Sequence, residues 1–226
     1  MLQLEADMPI DVAPIVERIL KDAIYYINVN HIAYSGGIDS TIMLAILKQV
    51  YEVVHTYTIS SRADHPDILF ARLGSEFYNT NHHEFIVEPT ELGADEQLGD
   101  NAVRQFFELV NKYTGKVITC DGVDEFMCGY YKHMDGTQET YEHFLSRLTP
   151  DHLAPLNSAS KNVKVYVPYL DRKMLYIYRN IPLDAKVDEN NRKKIMVKIA
   201  EYLEVPREII DRNKYGFCDA FRKNDK

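Results

Sequence analysis

The chain has 226 residues, a formal charge of −8 at pH 7 and 46% apolar residues. That length accommodates one large unit, with or without a smaller appendage, and the apolar content excludes an intrinsically disordered chain. No run of about eighteen apolar residues is present, which excludes a membrane-spanning helix, and the net acidity counts against a general nucleic-acid binder.

The first residues, Met1 to Asp7, lack the basic-then-apolar pattern of a signal peptide. Three cysteines, Cys120, Cys128 and Cys218, form no Cys-x-x-Cys pair, and an odd count suits a reducing compartment. The expected location is therefore the cytoplasm. Taken in chain order, Val12, Ile15, Val16, Ile19, Leu20, Ala23, Ile24 and Ile27 fall on one stripe and predict an amphipathic helix over 11–27. Short apolar runs at 31–35, 53–59, 84–87 and 116–119 predict buried strands. Helical patterns at 41–50, 66–78 and 95–113 separate them, with Pro66 suited to a first helical turn. Strands alternating with helices imply right-handed crossovers and a parallel sheet. After Cys120 the pattern turns mainly helical, at 124–132, 137–148, 171–180, 190–203 and 206–211. No Gly-, Ser- or Pro-rich linker intervenes. The expected organisation is one unit over 1–226, with an α/β core at 12–135 and a mainly helical part at 136–226 that closes one side of a cleft.

The most specific local pattern is Tyr34-Ser35-Gly36-Gly37-Ile38-Asp39-Ser40, placed between the first strand and a helix. Two glycines let the backbone turn tightly and remove side chains that would block a phosphate. The first turn of the following helix supplies N–H donors and the positive end of its dipole. Ser35 and Ser40 add hydroxyls. Asp39 cannot bind phosphate directly at neutral pH, so its part would be to hold a divalent cation. An ordinary Gly-rich turn is the plain alternative; both serines, the aspartate and the strand–helix context favour a pyrophosphate loop. Cys120-Asp121-Gly122-Val123-Asp124-Glu125 follows the fourth strand and reaches the same sheet edge, where ligands of parallel sheets bind. Asp39 and Asp124 facing each other would repel unless a cation lay between them, and Mg²⁺, with one or two carboxylates plus phosphate oxygens, suits that pair. Asp124 also reads simply as a helix-capping aspartate. Near the end, Asp211-Arg212-Asn213-Lys214-Tyr215-Gly216-Phe217 reads as a turn, and in Pro168-Tyr169-Leu170-Asp171 the aspartate reads as a cap. Residues 186–226 carry 11 Lys+Arg against 8 Asp+Glu. A solvated basic helix explains this, and lysines facing phosphates are the alternative.

Ser-Gly-Gly-Ile-Asp-Ser, Asp-Gly-Val-Asp-Glu-Phe-Met-Cys-Gly-Tyr, Pro-Tyr-Leu-Asp and Arg-Asn-Lys-Tyr-Gly-Phe occur here in one order over about residues 12–221. In that order and rough spacing the chain resembles the synthetase domain of asparagine synthetases, within the PP-loop ATP pyrophosphatase superfamily. The resemblance implies a HUP-like (adenine nucleotide alpha hydrolase-like) α/β fold with a parallel sheet of about five strands. It implies ATP as substrate, Mg²⁺, and an AMP-forming carbon–nitrogen ligase acting on a small carboxylate with ammonia or an amine. On its motifs, Ser35, Gly36, Gly37, Asp39 and Ser40 match the pyrophosphate loop, and Asp39 and Asp124 the Mg²⁺ aspartates. Lys214 matches the lysine that meets the phosphates, and Asp121 a position implicated in catalysis. Lys194 matches the lysine of a Lys-x-x-x-Arg helix motif whose arginine is Lys198 here. Backbone at Ala33, Tyr34 and Ile59 would match the adenine-binding strand ends. Departures concern the acceptor half. Leu2 follows Met1, so the expectation is a stand-alone, ammonia-dependent form without the usual glutaminase domain, with a separate ammonia-supplying subunit as an expected partner. Cys120 and Cys128 stand where glycine is usual, and Lys164-Val165-Tyr166 replaces Glu-x-Arg. The acidic loop at 88–100 either borders the acceptor site, with Arg62 or Arg104 compensating its charge, or is solvated. An enzyme adenylating another metabolite and a non-catalytic nucleotide-binding subunit are the competing expectations. His82-His83 lacks metal-ligand spacing, since neighbours on a strand point to opposite faces.

Overall fold

In a computed structural model of the protein, residues 11–92, 97–148, 162–215 and 221 are described. Five strands run parallel in one sheet: β1 (His31–Ala33), β2 (His55–Ser60), β3 (Asn81–Ile86), β4 (Lys116–Ile118) and β5 (Lys164–Tyr166), in the spatial order β3-β2-β1-β4-β5. His31 pairs with His55, Ile32 with Ile118, Ile59 with Phe85, and Ile118 with Tyr166. The chain grows outward from β1 to β3, then returns to the other side of β1 with β4. Strand order therefore reverses between β1 and β4, and the crevice beyond their carboxyl ends is where such sheets bind ligands.

Helices cover both faces. On one side lie α1 (Val12–Ile27) and α2 (Ile38–Val50). Asp11 caps α1 by accepting from the Ala13 N–H at 3.2 Å, and Asn28 ends it in the left-handed region at φ 49°. Its stripe of Ala13, Val16, Leu20 and Ile24 is buried; each of the larger three contributes about 1.5–3 kcal/mol by leaving water. α2 is buried from Ser40 through Leu47, because α1 covers it on one side and the later helices α9 (Lys194–Tyr202) and α10 (Arg207–Ile210) on others. A helix apolar on all sides belongs inside, so the residues behind the Ser-Gly-Gly loop form the rigid centre of the molecule. α3 (Pro66–Phe77) has Pro66 in its first turn and His65 as its cap, its Nδ1 accepting from the Asp67 N–H at 3.2 Å. On the opposite side, α4 (Leu98–Val110) lays Ala102, Phe106, Phe107 and Val110 against Tyr57, Ile59, Phe85 and Val117 in a second core. Beyond the sheet come α5 (Val123–Phe126), α6 (Gln138–Arg147), α7 (Arg172–Asn180) and α8 (Leu183–Lys186).

The five-stranded parallel sheet matches expectation; the bounds of several elements differ. The third strand starts three residues early, at Asn81, because β2 offers it a full parallel partner despite its polar side chains. The fifth strand, Lys164–Tyr166, has too few residues to show a period. The helix expected over 124–132 is only Val123–Phe126, after which Cys128 turns left-handed (φ 58°) and Tyr131–Asp135 forms a 3₁₀ turn. The helix expected from 190 starts at Lys194, because Asp188 Oδ1 accepts from the N–H groups of Asn190 and Asn191 (2.9 and 2.8 Å) and Lys193 is left-handed at φ 54°.

Candidate active site

The loop after β1 is built by exclusion. Gly36 has φ +65°, and a Cβ there would lie 2.4 Å from Ala71 N and from the Phe70 carbonyl carbon. Only glycine lets the loop rest on α3. Gly37 caps α2 with extended backbone, and its carbonyl accepts from Ser40 Oγ (3.0 Å), Thr41 Oγ1 (2.9 Å) and Thr41 N–H (2.9 Å). Ser35 Oγ accepts from the Gly37 N–H at 3.3 Å and lies 3.3 Å from Ser40 Oγ. The Tyr34 side chain is buried, with its hydroxyl 3.1 Å from Thr41 Oγ1; its N–H donates to the Tyr57 carbonyl at 2.8 Å and its carbonyl accepts from Thr58 Oγ1.

Asp39, in the first turn of α2, is fixed through its carbonyl, which accepts from Tyr169 Oη at 2.8 Å and from the Cys120 thiol at 3.9 Å. Tyr169 belongs to the Pro-Tyr-Leu-Asp segment, a 3₁₀ turn after β5. Asp171 closes that turn and caps α7 by accepting from the Lys173 N–H at 2.8 Å. Asp124, in the first turn of α5, comes from β4 on the other side of the crevice. The two carboxylates meet through Lys193, whose ammonium bonds Asp39 Oδ2 and pairs with Asp124 Oδ1 at 2.5 Å. Lys214 bonds Asp124 Oδ2 and rests 4.2 Å above the Tyr130 ring. Gly129 makes room, because a Cβ there would lie 1.8 Å from Asp124 Oδ1 and 2.5 Å from Lys193 Cε. Burial raises the Asp39 pKa against the pull of Lys193. For Asp124 burial pushes the same way, but Lys193 and Lys214 together outweigh it and hold the carboxyl below the usual range. Asp124 is thus the first of the pair to ionise. Burial lowers the Lys214 pKa, with Asp124 opposing.

These groups line one cavity of about 360 Å³, within the range of small-molecule sites. One end is charged: Asp39, Asp124, Lys193, Lys214 and Arg212. The other is apolar, where Ile59 from β2 faces Val103, Phe106 and Phe107 from α4. Of the residues expected from sequence, Ala33, Tyr34, Ser35, Gly37, Asp39, Ser40, Ile59, Asp121, Asp124 and Lys214 line it. Gly36 supports the loop from behind. Lys194 is not brought there: its ammonium bonds the Asp184 carbonyl (2.8 Å) and Asp188 (2.9 Å). The left-handed turn at Lys193 sends that side chain, one residue earlier, into the cleft instead. The doublet Lys193-Lys194 behind an Asp-x-Asn-Asn turn was the available signal for this shift. Arg212 was also missed. Its Nη1 donates to the Ser35 carbonyl at 2.8 Å and its Nη2 pairs with Asp67 at 2.5 Å, fastening the last motif to the first. Burial and the Asp39 and Asp121 carboxylates push the Cys120 thiol up, which makes it a poor nucleophile. Of the acidic loop, 93–96 lie outside the described residues; Arg104 is held by Thr90 Oγ1 (2.8 Å) and Glu108 (3.4 Å).

The donor set fits a hard divalent cation. Asp39 Oδ1 is buried with no hydrogen-bond partner, beside a second carboxylate. Among the described residues no third His, Cys, Asp or Glu joins them, leaving the other coordination positions to water and substrate oxygens, as Mg²⁺ prefers.

A strand–Ser-Gly-Gly–helix loop at the switch point of a parallel sheet, with two carboxylates and two lysines at its mouth, defines an α/β protein of the PP-loop type. The asparagine synthase family model matches residues 32–157 and 135–225, and the chain belongs to that family. It is similar to the glutamine-hydrolyzing asparagine synthetases of Mus musculus, at 28% identity, and Homo sapiens, at 27%, each over 82% of this chain. The chain spans 38% of the length of these relatives. Among solved structures, NMN synthetase from Francisella tularensis superposes with a TM-score of 0.51 at 17% identity, covering 93% of this chain and 77% of the other, a likeness of fold. No helix among the described residues is long and apolar enough to cross a membrane.

Proposed function

We propose that the chain is an AMP-forming ligase that joins a small carboxylic acid to ammonia or an amine at the cost of ATP. A substrate carboxylate oxygen attacks the α-phosphorus, the bond from that phosphorus to the bridging oxygen breaks, and pyrophosphate leaves with the electron pair. The acyl-adenylate is then attacked by the amine, and AMP departs. The observation that carries this reading is the convergence of Asp39, Asp124 and Lys214, from three distant segments, on the mouth of the Ser-Gly-Gly loop.

Each part of the chain has a task. The first-turn N–H groups of α2, with Ser35 and Ser40, would hold the pyrophosphate part. Ile59 and Phe106 would cover the adenine, with backbone at Ala33 and Tyr34 reading its edge. Lys214 would meet charge growing on the departing pyrophosphate. Asp39 and Asp124 would hold Mg²⁺, which when bound spreads phosphate charge. Asp121 would accept a proton from the attacking amine or steady the metal side of the site. The relatives' name points to aspartate as the first acid to test and glutamine as an ammonia source. A separate ammonia-supplying partner is part of the proposal; a membrane or nucleic-acid partner is not.

The test incubates the protein with ATP, Mg²⁺, ammonium and a panel of amino and other small carboxylic acids, and identifies the nucleotide product. AMP with pyrophosphate, dependent on one acid, supports the ligase. ADP points to another chemistry, and binding without turnover across the panel would leave a nucleotide-binding subunit.

A further inference from the structure

Lys193 occupies a position that the proposed reaction does not use. Its side chain is 10% exposed, and its ammonium touches one oxygen of each carboxylate. Three features hold it there. Its backbone is left-handed at φ 54°, ψ 33°, unusual for a residue with a side chain. Arg192 before it is tied to the Gly129 carbonyl and stacked 3.8 Å over Tyr131. Lys194 after it is tied to α8 and the loop beyond, at Asp184 and Asp188. Gly129 leaves the space that its methylene chain fills.

Charge balance gives this placement a consequence. Asp39 and Asp124 supply two negative charges, and Lys193 and Lys214 two positive ones. Taken as charged, these four groups sum to zero. A divalent cation entering between the carboxylates would find Asp39 Oδ1 without a partner but the Lys193 ammonium already on Asp39 Oδ2 and Asp124 Oδ1, and would add two uncompensated charges in a poorly solvated crevice. A cation arriving on a polyphosphate brings its own negative charge, and the displaced ammonium gains phosphate oxygens to bond.

We propose that Lys193 is the resident counter-ion of the Asp39–Asp124 pair, displaced when a divalent cation binds, so that the cation binds tightly only together with nucleotide phosphates. This rests on the proposed reading in one respect: the carboxylate pair is taken as the cation site. Lys193 is a positioning residue on this view, holding two like charges together until the cation replaces it.

The experiment measures Mn²⁺ binding to the full chain by electron paramagnetic resonance at pH 7.5, without nucleotide and then with a non-hydrolysable ATP analogue. Wild type is compared with Lys193→Met, with Lys193→Gln as a second variant if the first does not fold. Lys198→Met, an exposed charge loss on the same helix, is the control. The expected result is bare Mn²⁺ binding at least tenfold tighter in the Lys193 variant than in wild type, with Lys198→Met unchanged. The analogue should tighten Mn²⁺ binding strongly in wild type and much less in the variant. Equal bare Mn²⁺ affinities within twofold, with the analogue still tightening wild type, would overturn the counter-ion role alone. No tightening by the analogue in wild type would instead remove the nucleotide reading beneath it.

Discussion

Asp124 sits between the two lysines of the site. Two ammonium groups touch its two oxygens, and both keep it ionised against burial. Lys214 is the more exposed of the pair and sits nearer the solvent end, over Tyr130. Replacing it should leave the fold intact, because Asp124 keeps Lys193. Lys214→Ala is expected to retain the thermal transition of wild type and to lose at least about a hundredfold in pyrophosphate release. Undiminished release would remove Lys214 from the chemistry. Gly36 makes the opposite prediction. Its φ of +65° and the 2.4 Å approach to α3 penalise any Cβ, with about 1–2 kcal/mol from the backbone alone and more from the clash. Gly36→Ala should lower Tm by at least about 5 °C in a scanning calorimeter. At this scale the sequence was informative wherever chemistry needs a particular residue type. Glycine without a side chain, serine hydroxyls and an aspartate at a helix start are recognisable in place. Lys193 was not, because a lysine's reach depends on the backbone that launches it, and one left-handed residue exchanged its direction with that of Lys194.

Elements come together at this site through a clasp rather than a shared strand. Arg212, 5% exposed, joins the segment carrying Lys214 to Asp67 at the start of α3 and to the Ser35 carbonyl, and its guanidinium lies 4.9 Å over the Phe70 ring. Removing one partner of such a buried pair leaves the other uncompensated, at a cost of about 3–5 kcal/mol. Arg212→Met should therefore destabilise strongly, and Asp67→Asn with Arg212→Met should lose much less than the sum of the single changes. A double-mutant cycle by denaturant unfolding checks this; strict additivity would mean that the clasp does not couple the two motifs. The bounds of α1, α3 and α6 were readable almost to the residue, since each starts at a capping side chain, Asp11, His65 and Thr137, and α1 adds a buried stripe. Periodicity failed at 124–132 and 190–193, where local hydrogen bonds, a 3₁₀ turn after Cys128 and an Asx turn at Asp188, overrule apolar spacing. Strand β5 escaped because three residues paired on one side only carry no pattern of their own.

Across the molecule, the candidate active-site crevice lies at the carboxyl ends of the strands and a histidine ladder at their amino ends. His31 stacks on His55 at 4.5 Å, and His83 lies 5.7 Å beyond His55. Burial, then His55 and His83, push the His31 pKa down to about 4; burial does the same for His133, to about 4. Both begin near 6.5 when unfolded. Between those values the unfolded chain binds more protons, so their contribution is complete above about pH 6.5 and is lost as pH falls toward 4. With partial exposure discounted, each is worth about 1 kcal/mol. Tm should fall between pH 7 and 4.5, and less steeply in His31→Gln; a flat profile would show that the ladder tolerates protons.

In the proposed reaction ATP is cut between its α-phosphorus and the bridging oxygen. This cleavage is tested most directly by isotope exchange between labelled pyrophosphate and ATP, in the presence of Mg²⁺ and each candidate acid, without an amine. Exchange that depends on one carboxylic acid and disappears in Asp124→Asn is the expected result. Formation of ADP and phosphate under the same conditions, with no label entering ATP for any acid, would contradict it.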